Sequence, residues 1–158
     1  DFYNSEPDRM MARTHTALGQ PVYRYHFSYV PPNARNGLGL GHGAEINYVF
    51  GRATTNAEDA ATSAAANAYW VAFAKSSNPG SAGGPAWPKY DRNTEDALEF
   101  GVDGVHARTG FLTERLDWIE QHTEQFTASA ATAGVPVVAA RTTGFGRGAA
   151  PRASTPRR

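Results

Sequence analysis

Cysteine is missing from all 158 residues, which removes disulfides, thiolate nucleophiles and cysteine-based zinc sites together and leaves the redox compartment open. No apolar run approaches the roughly 20 residues that a helix needs to cross a bilayer, so no transmembrane segment is expected. Charge of one sign is missing too. Fifteen Lys/Arg balance fifteen Asp/Glu, and no global field favours nucleic acid or an anionic membrane as a partner. The opening Asp1-Phe2-Tyr3-Asn4 has neither an initiating Met nor a basic-then-apolar signal pattern, and it reads as the middle of a longer chain. Localisation and oligomeric state carry no marker.

What is present is enough for one ordinary domain: 41% hydrophobic and 11% aromatic residues can build a core. The balanced charge hides an asymmetry. Residues 1–120 hold ten Lys/Arg and fourteen Asp/Glu, whereas residues 121–158 hold five Arg and one Glu. Beyond Glu120 the chain turns Ala/Thr/Gly/Pro/Arg-rich, with few large apolar residues to offset the entropy of ordering it. A folded region over 1–120 and a disordered tail over 121–158 are expected. Five scattered arginines without interleaved aromatics do not make a nucleic-acid surface.

Within the first region, Asp8 to Leu18 reads as a helix opened by Pro7 and Asp8 and closed by Gly19 as a left-handed cap. In "PVYRYHFSYV", Tyr23, Tyr25, Phe27 and Tyr29 alternate with Arg24, His26 and Ser28, the two-residue period of a strand. Its aromatic stripe is expected in the core. Pro31-Pro32 ends it, and a glycine-bearing loop runs from Asn33 to Gly41. A short helical turn over Ala44 to Phe50 should put Ile46, Val49 and Phe50 against the core and stop at Gly51. Thr55 to Glu58 has capping-box spacing ahead of an alanine-dense helix to Lys75, docked by Ala64, Ala68 and Val71 with Tyr69, Trp70 and Phe73 beside them. A Gly/Ser/Pro linker, a short strand around Ala97 to Phe100, and a short helix "TERLDWIEQ" with Leu116 and Ile119 on one side complete the pattern. No internal repeat is present.

The stretch with chemical interest is "GLGLGHGAEINYVFG", residues 37–51. It sets His42 between glycines and a carboxylate, Glu45, three residues later. Alone, this admits a general base, a metal ligand, or an ordinary histidine with flexible neighbours. A histidine loop at a strand's C-terminal end, followed by a helix, is the local grammar of an α/β sheet, whose sites lie beyond the carboxyl ends of its strands. His15 on a helix and His26 on a strand read as structural or solvated, and His106 and His122 lie in poorly patterned segments.

Four blocks, "PVYRYHFSYVPP", "GLGLGHGAEINYVFG", "YWVAFAKSSNP" and "AWPKYD", closely resemble in order and spacing the C-terminal end of type-B carboxylesterases, the α/β-hydrolase family that includes the cholinesterases. The resemblance covers roughly residues 8–120. It implies an α/β fold class, as the C-terminal portion of an α/β-hydrolase, and a serine esterase working through an acyl-enzyme on small-molecule carboxylic esters, without a cofactor or a metal. It assigns His42 the role of triad histidine and Glu45 that of a buried supporting group near the site, not the triad acid. An unperturbed imidazole titrates near about pH 6.5. In its neutral form it can accept the serine proton and return it to the leaving alcohol.

Such an enzyme needs its serine on a Gly-x-Ser-x-Gly elbow, in the chain order serine, acid, histidine. Both missing members are expected upstream of residue 1, so the chain alone is expected to be inactive. "PGSAGG", residues 79–84, imitates the elbow. Pro79 stands in the first glycine's place, no strand precedes it, and Ser81 follows His42 in the wrong order, so it reads as a flexible linker. Two other readings remain: a non-catalytic, cholinesterase-like interaction domain, and a metal-dependent hydrolase using His42-x-x-Glu45 with His106 as a third ligand.

Overall fold

A computed structural model describes residues 5–37 and 40–132, with side chains up to Thr123. The elements in order are α1 (Ser5–Ala17), β1 (Tyr25–Phe27), α2 (Ile46–Val49), α3 (Ala57–Ser76), β2 (Ala97–Gly101), β3 (Gly104–Arg108) and α4 (Thr113–Thr132), with a 3-10 turn at Pro32–Ala34. The chain divides into two units after Gln121.

In the first unit, three strands form a mixed sheet in the order β1-β2-β3. β1 runs parallel to β2, with Tyr25 opposite Leu98 and Phe27 opposite Phe100. β2 and β3 are an antiparallel hairpin closed at Gly101 and Gly104. Parallel strands cannot be joined by a tight turn, and the crossover here holds the His42 loop, α2 and α3. Among the described residues, the other edge of β1 has no strand partner.

α3 covers one face of this sheet. The core between them holds Tyr29, Tyr48, Ala66, Tyr69, Trp87, Leu98 and Phe100. Trp87 sits at its centre, with ring contacts to Tyr23, Tyr25, Tyr69, Trp70 and Phe100, and its Nε1 donates to the Arg24 carbonyl at 2.9 Å. The aromatic stripe of β1 therefore faces core, as its alternation predicts, although Tyr25 stays 40% exposed. On α1, Arg9 is fully buried and ion-paired with Glu6, Asp117 and Glu120. Arg13 and Arg24 share the buried Glu95. These pairs tie α1 to the start of α4 and to the turn before β2.

Several expectations are corrected. α1 begins at Ser5, ahead of Pro7 and Asp8. The cap of α3 is Asn56, whose side chain accepts from the Asp59 N–H, so the capping pair falls one residue later than Thr55 and Glu58. Its buried face is Asp59, Ser63, Ala66 and Tyr69, while Val71 and Phe73 are exposed. On α2 it is Tyr48 that turns inward, and Ile46 and Phe50 are exposed. His106 lies within β3, not in a poorly patterned segment. The last helix continues past Gln121 to Thr132, so the expected tail boundary falls inside a helix. The rest of the expected tail, 133–158, lies outside the described residues.

Other expectations match: β2 spans Ala97–Gly101, and Leu116 and Ile119 of α4 are buried. Gly19 and Gly51 stand at φ 75° and 68°, the left-handed conformation that ends a helix at little steric cost to glycine.

Candidate functional site

The His42 segment starts where β1 ends. Tyr29 still hydrogen-bonds through its N–H to the Phe100 carbonyl. Pro31 and the turn at Pro32–Ala34 then carry the chain off the sheet, and Arg35 ties this part of the loop down by donating to the Val30 carbonyl and ion-pairing with Glu58 on α3. From Gly41 onward, successive i→i+3 bonds, Ala44 N–H to Gly41 O and Ile46 N–H to Gly43 O, wind the backbone into α2. His42 lies in the first of these turns, and its side chain is exposed. Gly43 directly after it has φ 78°, a conformation that side chains rarely adopt. Glycine therefore suits the position at which the chain turns from His42 into the helix that follows.

Glu45 is half-buried at the N-cap of α2. Its charge lies near the β1 edge, where, after burial, it is the next contributor to a raised Tyr25 hydroxyl pKa. His42 and Glu45 thus flank one turn. Among the described residues, no side chain hydrogen-bonds to the imidazole, and no group of three or more His, Asp or Glu side chains is gathered that could hold a metal. His106 lies elsewhere, on β3, with Nε2 3.2 Å from an Asp103 carboxylate oxygen.

α2 is held by polar groups that sequence reasoning does not single out. Asp59 is buried on the first turn of α3 and accepts from the Tyr29 hydroxyl at 2.8 Å, the Tyr48 hydroxyl at 3.2 Å and the Asn56 side-chain amide at 2.8 Å. Its place in a helix's first turn also suits an anion. Burial first, and then the Asp59 carboxylate, push both hydroxyls up, that of Tyr48 to about 12. Both therefore stay protonated and donate. Ser63 Oγ donates to the Tyr48 carbonyl at 3.1 Å and Asn67 Nδ2 to the Val49 carbonyl at 2.8 Å. The available signal is Asp59 three residues after an Asn that can cap.

The imitation elbow is an ordered turn. Pro79 is buried, the Trp87 N–H donates to the Gly80 carbonyl, and Tyr69 OH donates to the Pro85 carbonyl at 2.5 Å. Gly83 packs so closely on α3 that a Cβ would lie 2.3 Å from the Ala65 carbonyl oxygen. Ser81 is exposed in this turn, and turn and irregular backbone follow it, not the helix that a nucleophile elbow needs. A separate cleft of about 360 Å³ follows the β1 edge between Tyr23, Tyr25, Trp70 and Trp87, and His42 does not line it.

The sequence pattern of the carboxylesterase family matches residues 1–119. The chain belongs to the carboxylesterase family. It is 35% identical over 110 residues to a liver carboxylesterase of Sus scrofa, covering 65% of this chain and 19% of the relative. To a medium-chain fatty acyl-CoA hydrolase precursor of Anas platyrhynchos it is 34% identical over 124 residues, covering 73% and 22%. Among solved structures it is similar to a Geobacillus stearothermophilus carboxylesterase, with TM-score 0.57, 26% identity, and 68% of this chain and 23% of that chain covered. An esterase of Clostridium hathewayi shares the fold with TM-score 0.65 at 19% identity, covering 74% and 24%. The chain thus spans about a fifth of the length of these relatives, and its architecture is that of a portion of the α/β-hydrolase fold.

Proposed function

We propose that this chain is the C-terminal portion of a carboxylic ester hydrolase and presents the triad histidine, His42, while the serine nucleophile and the triad acid come from sequence upstream of residue 1. Membership of the carboxylesterase family supports ester hydrolysis as the reaction. The observation that carries the assignment to His42 is its exposed position in a glycine-flanked turn beyond the C-terminal end of β1, where an α/β sheet places its site. There the imidazole is free to meet a serine delivered by another strand. It takes the hydroxyl proton as the serine oxygen attacks the ester carbonyl, then returns it to the departing alcohol. A water molecule repeats the sequence to release the acid. Glu45, in this reading, supports the site from the other side of the turn and does not itself orient the imidazole.

In the full-length protein, His42→Ala and His42→Gln should each lower kcat for p-nitrophenyl acetate by several orders of magnitude, as loss of a triad member does. An unchanged rate would remove His42 from the triad, whereas a parent protein with no turnover above background would replace this reading with that of a non-catalytic, interaction-type member. The 158-residue chain alone should turn over the same ester no faster than free imidazole, because positioning is what gives the enzyme its advantage. Saturable turnover by the chain alone, removed by His42→Ala, would place the nucleophile inside it; removal by Ser81→Ala would name that serine.

A further inference from the structure

An imidazole that serves as a general base must be held to within a fraction of an ångström. Within this chain His42 hydrogen-bonds no described side chain and sits between two glycines, so what this chain contributes to its placement, beside the upstream triad acid, comes from the two ends of its loop. Those ends converge on one atom. Tyr29, at the end of β1, and Tyr48, on α2, both donate to Oδ1 of Asp59. Ser63 and Asn67 follow Asp59 at four-residue steps along α3, the spacing of one helix face, and they take the Tyr48 and Val49 carbonyls.

α3 carries nine alanines among its twenty residues, so small apolar side chains at 59, 63 and 67 would have suited close packing. A polar group on a buried face is unfavourable unless it is hydrogen-bonded. Asp59 and Ser63 are buried and Asn67 half-buried; each has a partner on the segment that carries His42 or on the strand end that launches it, and Asp59 accepts from the Asn56 cap as well. Apolar contacts would hold α2 against α3 but let it slide, whereas directed hydrogen bonds fix its translation and rotation. We propose that Asp59, Ser63 and Asn67 are positioning residues for His42: a polar ladder on α3 that fixes, through Tyr29 and Tyr48, both ends of the loop presenting the imidazole. This rests on the reading of His42 as the triad base.

The experiment uses the full-length esterase, p-nitrophenyl butyrate, and the variants Asp59→Ala, Asp59→Asn, Tyr48→Phe and Asn67→Ala, each with its unfolding midpoint measured. Asp59→Ala should lower kcat between about tenfold and a hundredfold with KM within about twofold, the signature of lost positioning and not of lost binding. Asp59→Asn should recover part of that loss, because its amide oxygen accepts from the same two hydroxyls while its NH2 replaces the oxygen that accepts from the Asn56 amide. In a His42→Ala background, Asp59→Ala should cause no further loss, since there is no imidazole left to misplace. Should Asp59→Ala fail to fold, Tyr48→Phe and Asn67→Ala are judged by the same kcat–KM split and the same test in the His42→Ala background.

Folded ladder variants with kcat within about twofold of the parent, or losses that are the same with and without His42, would overturn the ladder. The two readings fail separately. An unchanged rate in His42→Ala removes the triad assignment, and the ladder's purpose with it. A large loss in His42→Ala beside unchanged ladder variants removes the ladder alone.

Discussion

Along α3, two kinds of contact hold one helix. Toward α2 its side chains are polar, and each hydrogen bond of Asp59, Ser63 and Asn67 has a single partner atom. Toward the sheet, Ala66, Tyr69 and Trp70 meet Trp87 and Phe100 in a cluster where every ring touches several others. Dispersion and burial are non-directional and sum over many neighbours, so the aromatic side supplies stability while tolerating small shifts. The polar side supplies less stability and more direction. A sheet needs only to be covered, whereas a loop bearing a general base needs to be placed, and the two halves of α3 divide these tasks.

The largest expected effect lies on the aromatic side. Trp87→Ala should lower stability by about 3–5 kcal/mol, the range for emptying an aromatic site in a core, with the Arg24 carbonyl losing one of its two donors. Urea unfolding of the full-length protein checks it. If the division holds, the fraction that remains folded keeps its kcat, and a lower kcat per folded molecule would break the comparison. Gly83→Ala presses a Cβ onto the Ala65 carbonyl and the Tyr69 ring, at 2.3 and 2.5 Å. Such overpacking should cost about 1–3 kcal/mol, again seen in the unfolding midpoint. Ser63→Ala tests the other side. It removes one buried hydrogen bond worth about 1 kcal/mol, and the Tyr48 carbonyl keeps the Gly51 N–H, so the midpoint should fall only slightly.

These two sides are unequally legible in the sequence. Where a local signal is strong, sequence and structure agree: the positive-φ stops at Gly19 and Gly51, the strand at Ala97–Phe100, and the Leu116/Ile119 face of α4. The buried face of α3 is misread because an alanine-dense run has no apolar stripe to show which side is inside. The polar residues decide it, and only through partners at Tyr29 and Tyr48 that are distant in sequence. At four residues α2 is too short for periodicity to reveal that Tyr48, not Ile46 or Phe50, turns inward. β3 is hidden because its hairpin turns on Val102-Asp103, which is not a favoured two-residue turn pair, and "GVHAR" lacks the apolar alternation that would identify a strand. Buried Arg9 is hidden for a different reason: its carboxylate partners Asp117 and Glu120 stand more than a hundred residues away. His42 stands out through family resemblance, since a histidine between glycines admits several roles.

The smallest expected effect is a slope, and it sharpens the comparison by isolating the Tyr48–Asp59 contact. Burial first, then the neighbouring Asp59 charge and the hydrogen bond to it, raise the Tyr48 hydroxyl to about 12, against about 10 for an unfolded tyrosine. Below about pH 10 both states hold the proton, and the contribution of this contact to stability is fully present. Between about 10 and about 12 the unfolded chain releases the proton while the folded one keeps it, so stability falls as pH rises and the contribution is lost through the folded value. Tyr48→Phe removes that share. At pH 9 the variant should be less stable than the parent by about 1 kcal/mol, one hydrogen bond. By about pH 10.5 the gap should narrow by somewhat under 1 kcal/mol, because only the parent carries this titration. Tyr29 and the other raised tyrosines, Tyr25, Tyr69 and Tyr90, titrate in both proteins and cancel in the difference. Urea midpoints of the two proteins at the two pH values supply the measurement, and a gap that stays constant would show that the Tyr48 hydroxyl is not held on Asp59.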